Sequence, residues 1–303
     1  MVYFVFDLDA TLADLSSAYY CIAALRVKQM LSGFIAAIFP EVLENQLDRA
    51  YSLFIKRILE QETSITPLGI LRPGILQVME QLAILKKKGR ITSVIIYSNN
   101  SHLPSLEFVR DLIHMHVGSK RLISQCIHWN HPLRNVEKTM YPGMYPKTWQ
   151  ALSSIIVNGG SNKLVMAKDV FFFDDLDHRD LQQTLRSNYY KVTPYDSHTS
   201  VQSIVNIFMD CLHDARVDPS LFTLQLVHIF PIQPYSSTFT LDDIISIMKY
   251  VSANSNTPKN AVVPPADDGI IMMNRAIDRV KMNMVKRTKR TKHGRTFKKK
   301  RTL

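Results

Sequence analysis

Residues 2–11 read VYFVFDLDAT, an apolar run that stops at two carboxylates, Asp7 and Asp9, one residue apart. Val, Tyr and Phe without polar alternation suit a strand covered on both faces, as in a parallel α/β sheet. Ligands of such sheets gather at the carboxyl ends of the strands, which is the end at which Asp7 and Asp9 lie. The same construction returns at Val170–Phe173, where VFFF runs into Asp174-Asp175-Leu176-Asp177-His178. A third run, TSVIIY over 92–97, ends in Ser98-Asn99-Asn100, where a hydroxyl and free main-chain N–H groups suit phosphate oxygens. Carboxylates packed this closely repel, and a hard cation with oxygen ligands resolves that repulsion.

Between these strands the spacing of apolar residues predicts helices. One covers 16–39, broken at Pro40, and a second runs from Glu41 to about Gln61 with Val42, Leu43, Leu47, Tyr51, Phe54, Ile55 and Ile58 on one face. Pro73 and Gly74 open a helix from Ile75 to about Lys88, with Gly89 past its end. Further helices are expected over 106–115, from Lys147 (PKTWQALSSII, with Trp149, Leu152 and Ile155 or Ile156 inward) and over 181–185. Short strands are expected near 124–129 and 189–192. Past about residue 210 the expectations are a strand over 221–232, a helix over 240–251, a polar linker at 254–268 and a helix over 269–285. The domain reading is therefore a core over 1–210 with a helical insertion at about 14–68, an extension over 211–253, the linker, and a final helix with a basic tail.

Composition bounds the class. The chain has 303 residues, 46% of them hydrophobic, enough for one sizeable α/β body with an appendage. Of its 37 Lys and Arg, eleven lie in 281–303 without an acid, which leaves 26 basic against 26 acidic residues elsewhere. That tail is expected to bind nucleic acid non-specifically through counterion release, or to act as a nuclear targeting signal. Phe297 is its one aromatic residue, so base stacking is not expected. Cys21, Cys126 and Cys211 are few and far apart, which suits small buried side chains in a reducing compartment. His114, His116, Cys126, His128 and His131 fit none of the common zinc spacings. The apolar run 30–39 is too short to span a bilayer, so a soluble, intracellular protein with no membrane partner is expected.

Taken in order, Asp7-x-Asp9-x-Thr11 after an apolar strand, a strand ending in Ser98, a Lys at a helix start, and a strand ending in Asp174-Asp175 resemble the motifs of the haloacid dehalogenase (HAD) superfamily. Most of its members are Mg²⁺-dependent phosphohydrolases. Lys147 suits the third position, Lys138 in VEKT is its rival, and Lys163 and Lys168 sit in a polar loop and at the foot of the next strand. The resemblance covers roughly residues 2–195 and implies a Rossmann-like parallel sheet, with a cap module where the 14–68 helices stand; ordinary core helices are the alternative there. It further implies that Asp7 is the nucleophile forming an aspartyl-phosphate and Asp9 the general acid and then base. Mg²⁺ would be held by Asp7, the main-chain carbonyl of Asp9 and Asp174, with Asp175 on a metal-bound water. Ser98 and Lys147 would hold phosphate oxygens, beside Thr11 and Asn99 on the substrate side. The DLDxTL form is similar to the RNA polymerase C-terminal-domain phosphatases and related proteins of large DNA viruses. The chain departs from them at Ala10, where those often have Glu, and in showing no β-hairpin insertion after the second motif. A phosphorylated protein or small molecule is the implied substrate. The other reading is a HAD-fold binding protein, vestigial in chemistry and tethered to nucleic acid by its tail.

Overall fold

A computed structural model of the chain describes residues 1–140, 145–159, 164–197, 199–226, 246 and 267–282. The three apolar runs are strands: β1 (Tyr3–Phe6), β2 (Ser93–Tyr97) and β4 (Val170–Asp174), joined by β3 (Ile123–Ile127) and β5 (Tyr189–Lys191). All pair in parallel, in the order β3-β2-β1-β4-β5, which makes the protein α/β with a Rossmann-like sheet. The three strands that end in polar clusters are thus neighbours at the centre. The chain winds from β1 toward β3 on one side and then crosses to β4 and β5 on the other. The switch point, where such sheets open a crevice, falls between β1 and β4.

Every residue of β1, β2 and β4 is buried, because helices cover both faces of the sheet. On one face Tyr3, Val5, Ile95, Tyr97 and Phe172 pack against α8 (Trp149–Asn158) and α9 (Arg179–Leu185) through Leu152, Ile155, Leu181 and Leu185. Trp149, expected inward, is only half-buried. On the other face Phe4, Phe6, Phe171 and Phe173 meet α1 (Tyr19–Leu25), α4 (Glu41–Glu62), α5 (Ile75–Lys87), α6 (Leu103–Val117) and α10 (Val201–Asp214). Rings stack across the strands there, Phe4 on Phe171 at 5.1 Å, Phe6 on Phe173 at 4.9 Å and Phe173 on Tyr190 at 4.9 Å.

Several expectations are corrected. Residues 16–39 form not one helix but α1, α2 (Val27–Met30) and α3 (Gly33–Ala37), because Leu31 and Ser32 are extended and Gly33 takes φ 58°. Val42 is exposed, and the buried face of α4 begins at Leu43. Helices α1, α2 and α4 share their buried cluster with α5, α6 and α10, whereas α3 buries no side chain. Residues 221–226, expected as strand, belong to helix α11 (Pro219–Leu226). Asp218 caps it by accepting from Ser220 N at 2.9 Å and Leu221 N at 3.0 Å, and Pro219 stands at its first position. The boundary expected at 210 falls inside α10. Residues 268–282 form helix α12, whose Met273, Ala276, Ile277 and Val280 join the main core. Another helix, α7 (Asn135–Met140), lies between β3 and α8. All of the expected 240–251 helix but residue 246, almost all of the linker and the tail beyond 282 lie outside the described residues. Among the described residues no helix is long and apolar enough to cross a membrane.

Candidate active site

The ends of β1, β2 and β4 carry Asp7, Ser98 and Asp174 onto one rim. Parallel pairing sets Phe6 opposite Phe173 and Ile96, and Asp7 N donates to Phe173 O at 2.9 Å, so Asp7 and Asp174 leave the sheet side by side. Among the described residues one group of three side chains is placed to hold a metal ion: Asp7, Asp174 and Asp175, whose oxygens lie within 4.8 Å of one another. Opposite ligands of an octahedral Mg²⁺ stand roughly 4.2 Å apart, twice the Mg–O distance. The donors are all carboxylate oxygens, the chemistry of a hard cation. Asp7 Oδ1 is buried without an aligned hydrogen-bond donor, although Lys147 Nζ lies 2.6 Å away. A divalent cation fits these residues.

Lys147 enters from the segment before α8 and is buried, with Nζ 2.6 Å from both Asp7 and Asp174. Of Lys138, Lys147 and Lys168, the described ones, it is the one at the rim. Lys138 donates to Asn130 and lies over Trp129, Lys168 is exposed at the foot of β4, and Lys163 lies outside the described residues. Thr11 donates to Asp175 at 3.3 Å, tying the first acidic pair to the second.

Asp9 faces the β2 end instead, accepting from Ser98 Oγ at 3.4 Å and from Asn100 Nδ2 at 3.2 Å. Its carboxylate is therefore outside the three-residue metal group; the metal contact expected of Asp9 was through its main-chain carbonyl. Asn99, expected on the substrate side, has both ends of its amide engaged. It donates to Tyr145 O at 2.8 Å and accepts from Arg134 Nη2 at 2.8 Å.

Electrostatics separates the carboxyls. Burial pushes Asp7 up to about 7 against the pull of Lys147, with Asp174 and Asp9 adding to the rise. Burial acts on Asp174 too, but Lys147 and His178 outweigh it and hold this carboxyl below its ordinary range. Leu176 N also donates to Asp174 Oδ1 at 2.8 Å, whereas Asp7 lacks a second donor, so the shared proton belongs on Asp7. Burial raises Asp9 against its bonds from Asn100 and Ser98, and burial with the charge of Asp174 raises Asp175. Burial disfavours the charge on Lys147, but Asp7 and Asp174 prevail and keep it protonated.

A stability prediction follows from Asp7. Its folded-state pKa lies above its ordinary 3.8, so its contribution is complete below about pH 4 and declines as pH rises toward about 7. With chelator present, the thermal midpoint should fall more steeply between pH 4.5 and 7.5 in the wild type than in Asp7→Asn. Excess Mg²⁺ should flatten that difference, because the ion binds the deprotonated carboxylate. Parallel curves for the two proteins in chelator would remove the assignment of the proton to Asp7.

Residues that pattern reading passed over complete the rim. His178 accepts from Lys147 N at its Nδ1 and places Nε2 3.2 Å from Asp174 Oδ2, without an aligned hydrogen bond. Arg134 and Glu137, neither exposed at all, form a buried pair at 2.6 Å. Arg134 donates to Ser98 O at 2.6 Å and Pro146 O at 3.2 Å, and Glu137 accepts from Tyr97 Oη and Thr148 N, each at 2.6 Å. The β2 end is thereby tied to the segment that delivers Lys147. No family model, no curated protein and no solved structure matches the chain, so its functional reading rests on this geometry alone.

Proposed function

We propose that the protein is a Mg²⁺-dependent phosphohydrolase of the HAD type working through an aspartyl-phosphate. One observation carries the reading: Asp7, Asp174 and Asp175 converge with Lys147 at the ends of two adjacent strands, and Asp9 stands beside them with Ser98 and Asn100. Asp7 attacks phosphorus as the bond to the leaving oxygen breaks. Asp9, whose hold on a proton burial strengthens and which Ser98 and Asn100 orient, gives that oxygen its proton. It then takes a proton from water, whose oxygen attacks phosphorus and releases phosphate from Asp7. Lys147 offsets negative charge on the transferring group, and Thr11 holds Asp175 in place. Asp7, Asp174 and Asp175, with the Asp9 carbonyl, would hold Mg²⁺, which would supply charge neutralisation between nucleophile and phosphate.

Four carboxyl groups gathered around one buried ammonium favour turnover over a binding role, since a scaffold gains nothing from such a cluster of acids. The substrates proposed are phosphate esters on protein or on nucleic-acid-associated molecules. The 14–68 helices stand where a HAD cap would. The tail beyond 282 is proposed as a polyanion tether, its signature a steep fall in nucleic-acid binding with salt. The decisive assay is phosphate release from an aryl phosphate: activity should appear with Mg²⁺ and vanish on thorough chelation. Mg²⁺ binding without turnover on phosphopeptides, nucleotides, sugar phosphates or phosphate-ended oligonucleotides would instead leave a HAD-fold binding protein.

A further inference from the structure

Arg72, from the LRPG turn before α5, is a buried cation that takes no part in the chemistry above. Four of its five N–H groups are used: Nε donates to Thr11 O at 2.7 Å, Nη2 to Ala10 O at 2.7 Å and Thr193 O at 2.6 Å, and Nη1 to Asp267 at 2.6 Å. Ala10 and Thr11 are the residues that follow the acid Asp9. Ala10 holds φ 55°, a conformation a residue with a Cβ keeps only when its surroundings impose it. Arg72 and Tyr195, whose N–H donates to Ala10 O at 2.8 Å, are what impose it.

The charge on Arg72 is met by Asp267, which also caps α12, accepting from Gly269 N at 2.9 Å. Thr193 is in turn bonded to Asp268, its hydroxyl donating at 2.5 Å. The fit is close on both sides. A Cβ at Gly269 would stand 2.6 Å from Arg72 Nη1, and one at Gly74 would stand 3.3 Å from Ile270. One carboxylate, nearly two hundred residues away in sequence, thus joins the start of α12 to the guanidinium that shapes the loop after Asp7 and Asp9.

We infer that Asp267 and Arg72 are positioning residues for the proposed reaction: docking of α12 holds the Asp7–Thr11 loop in its working geometry. This inference rests on the phosphohydrolase reading for its kinetic arm only. Displacing reacting groups by about 1 Å costs on the order of 10²-fold in rate without requiring weaker substrate binding.

Asp267→Asn separates the two duties of the side chain, because Asn caps a helix as well as Asp but brings no charge to Arg72. With Mg²⁺ and an aryl phosphate, Asp267→Asn should lower kcat by about 10- to 100-fold with KM nearly unchanged. Asp267→Glu, which restores the charge, should recover part of that loss. Amide hydrogen exchange is the second arm and needs no turnover: in Asp267→Asn the amides of 10–13 should exchange faster while those of β1 and β4 stay protected. A cap-only role predicts wild-type kcat and wild-type exchange in Asp267→Asn, and that result overturns the inference. Should the wild type itself prove inactive, the phosphohydrolase reading fails, and exchange at 10–13 alone decides whether α12 sets the loop.

Discussion

Asp7→Asn is expected to cut Mg²⁺-dependent phosphate release by about 10⁴-fold or more, the scale of loss when a nucleophile acting as one of a set is removed. Asn matches Asp in volume, so the buried position of Asp7 stays filled, and Lys147 keeps Asp174 as its partner at 2.6 Å. The loss is therefore chemical rather than structural. It should appear in kcat, with an unchanged far-ultraviolet spectrum and a thermal midpoint no lower than that of the wild type in chelator. Release within tenfold of wild type would take Asp7 out of the mechanism and leave the acidic rim without its central role.

The second large effect concerns stability. Glu137→Ala leaves Arg134 as a wholly buried cation without its ion partner, a change that costs about 3–5 kcal/mol. Three further donors lose their acceptor at once: Tyr97 Oη, Thr148 N and the Thr148 hydroxyl, the last at 3.2 Å. Lys147 sits next to Thr148, so the surviving folded protein should also lose rate. Urea unfolding read beside aryl phosphate turnover measures both. A double replacement of Arg134 and Glu137 by apolar residues should cost less than the single change, because no charge is then stranded. A single variant within 1 kcal/mol of wild type would show that water reaches the Arg134 guanidinium.

The sheet and the acidic rim were legible because their signals are local. Apolar runs without alternation at 2–6, 92–97 and 170–173 leave no solvent-facing side, and each stops abruptly at residues that carry charge or a hydroxyl. Lys147 was legible only as a cation at a helix start, with Lys138 a close competitor; what separates them is burial, which tertiary structure decides. Arg134 and Glu137 stood in LRNVEKT, a polar stretch that reads as a solvated turn. Their i,i+3 spacing is that of many surface pairs, and only the return of the chain past β2 covers them. Arg72 was visible as part of a helix opening, but its partner lies at Asp267 and nothing near either residue announces the other. The apolar run from 221, expected as strand over 221–232, is helical to 226 because Asp218 and Pro219 before it are a helix start; the cap outweighs β propensity.

The register of β1 against β4 has a consequence for the proposed ion site. Because Phe6 stands opposite Phe173 and the next residue on each strand is a carboxylate, the gap between Asp7 and Asp174 is set by the main-chain ladder, whose strands lie about 4.8 Å apart. A slip of one residue between β1 and β4 would turn one carboxylate to the opposite face, so that gap has no intermediate setting.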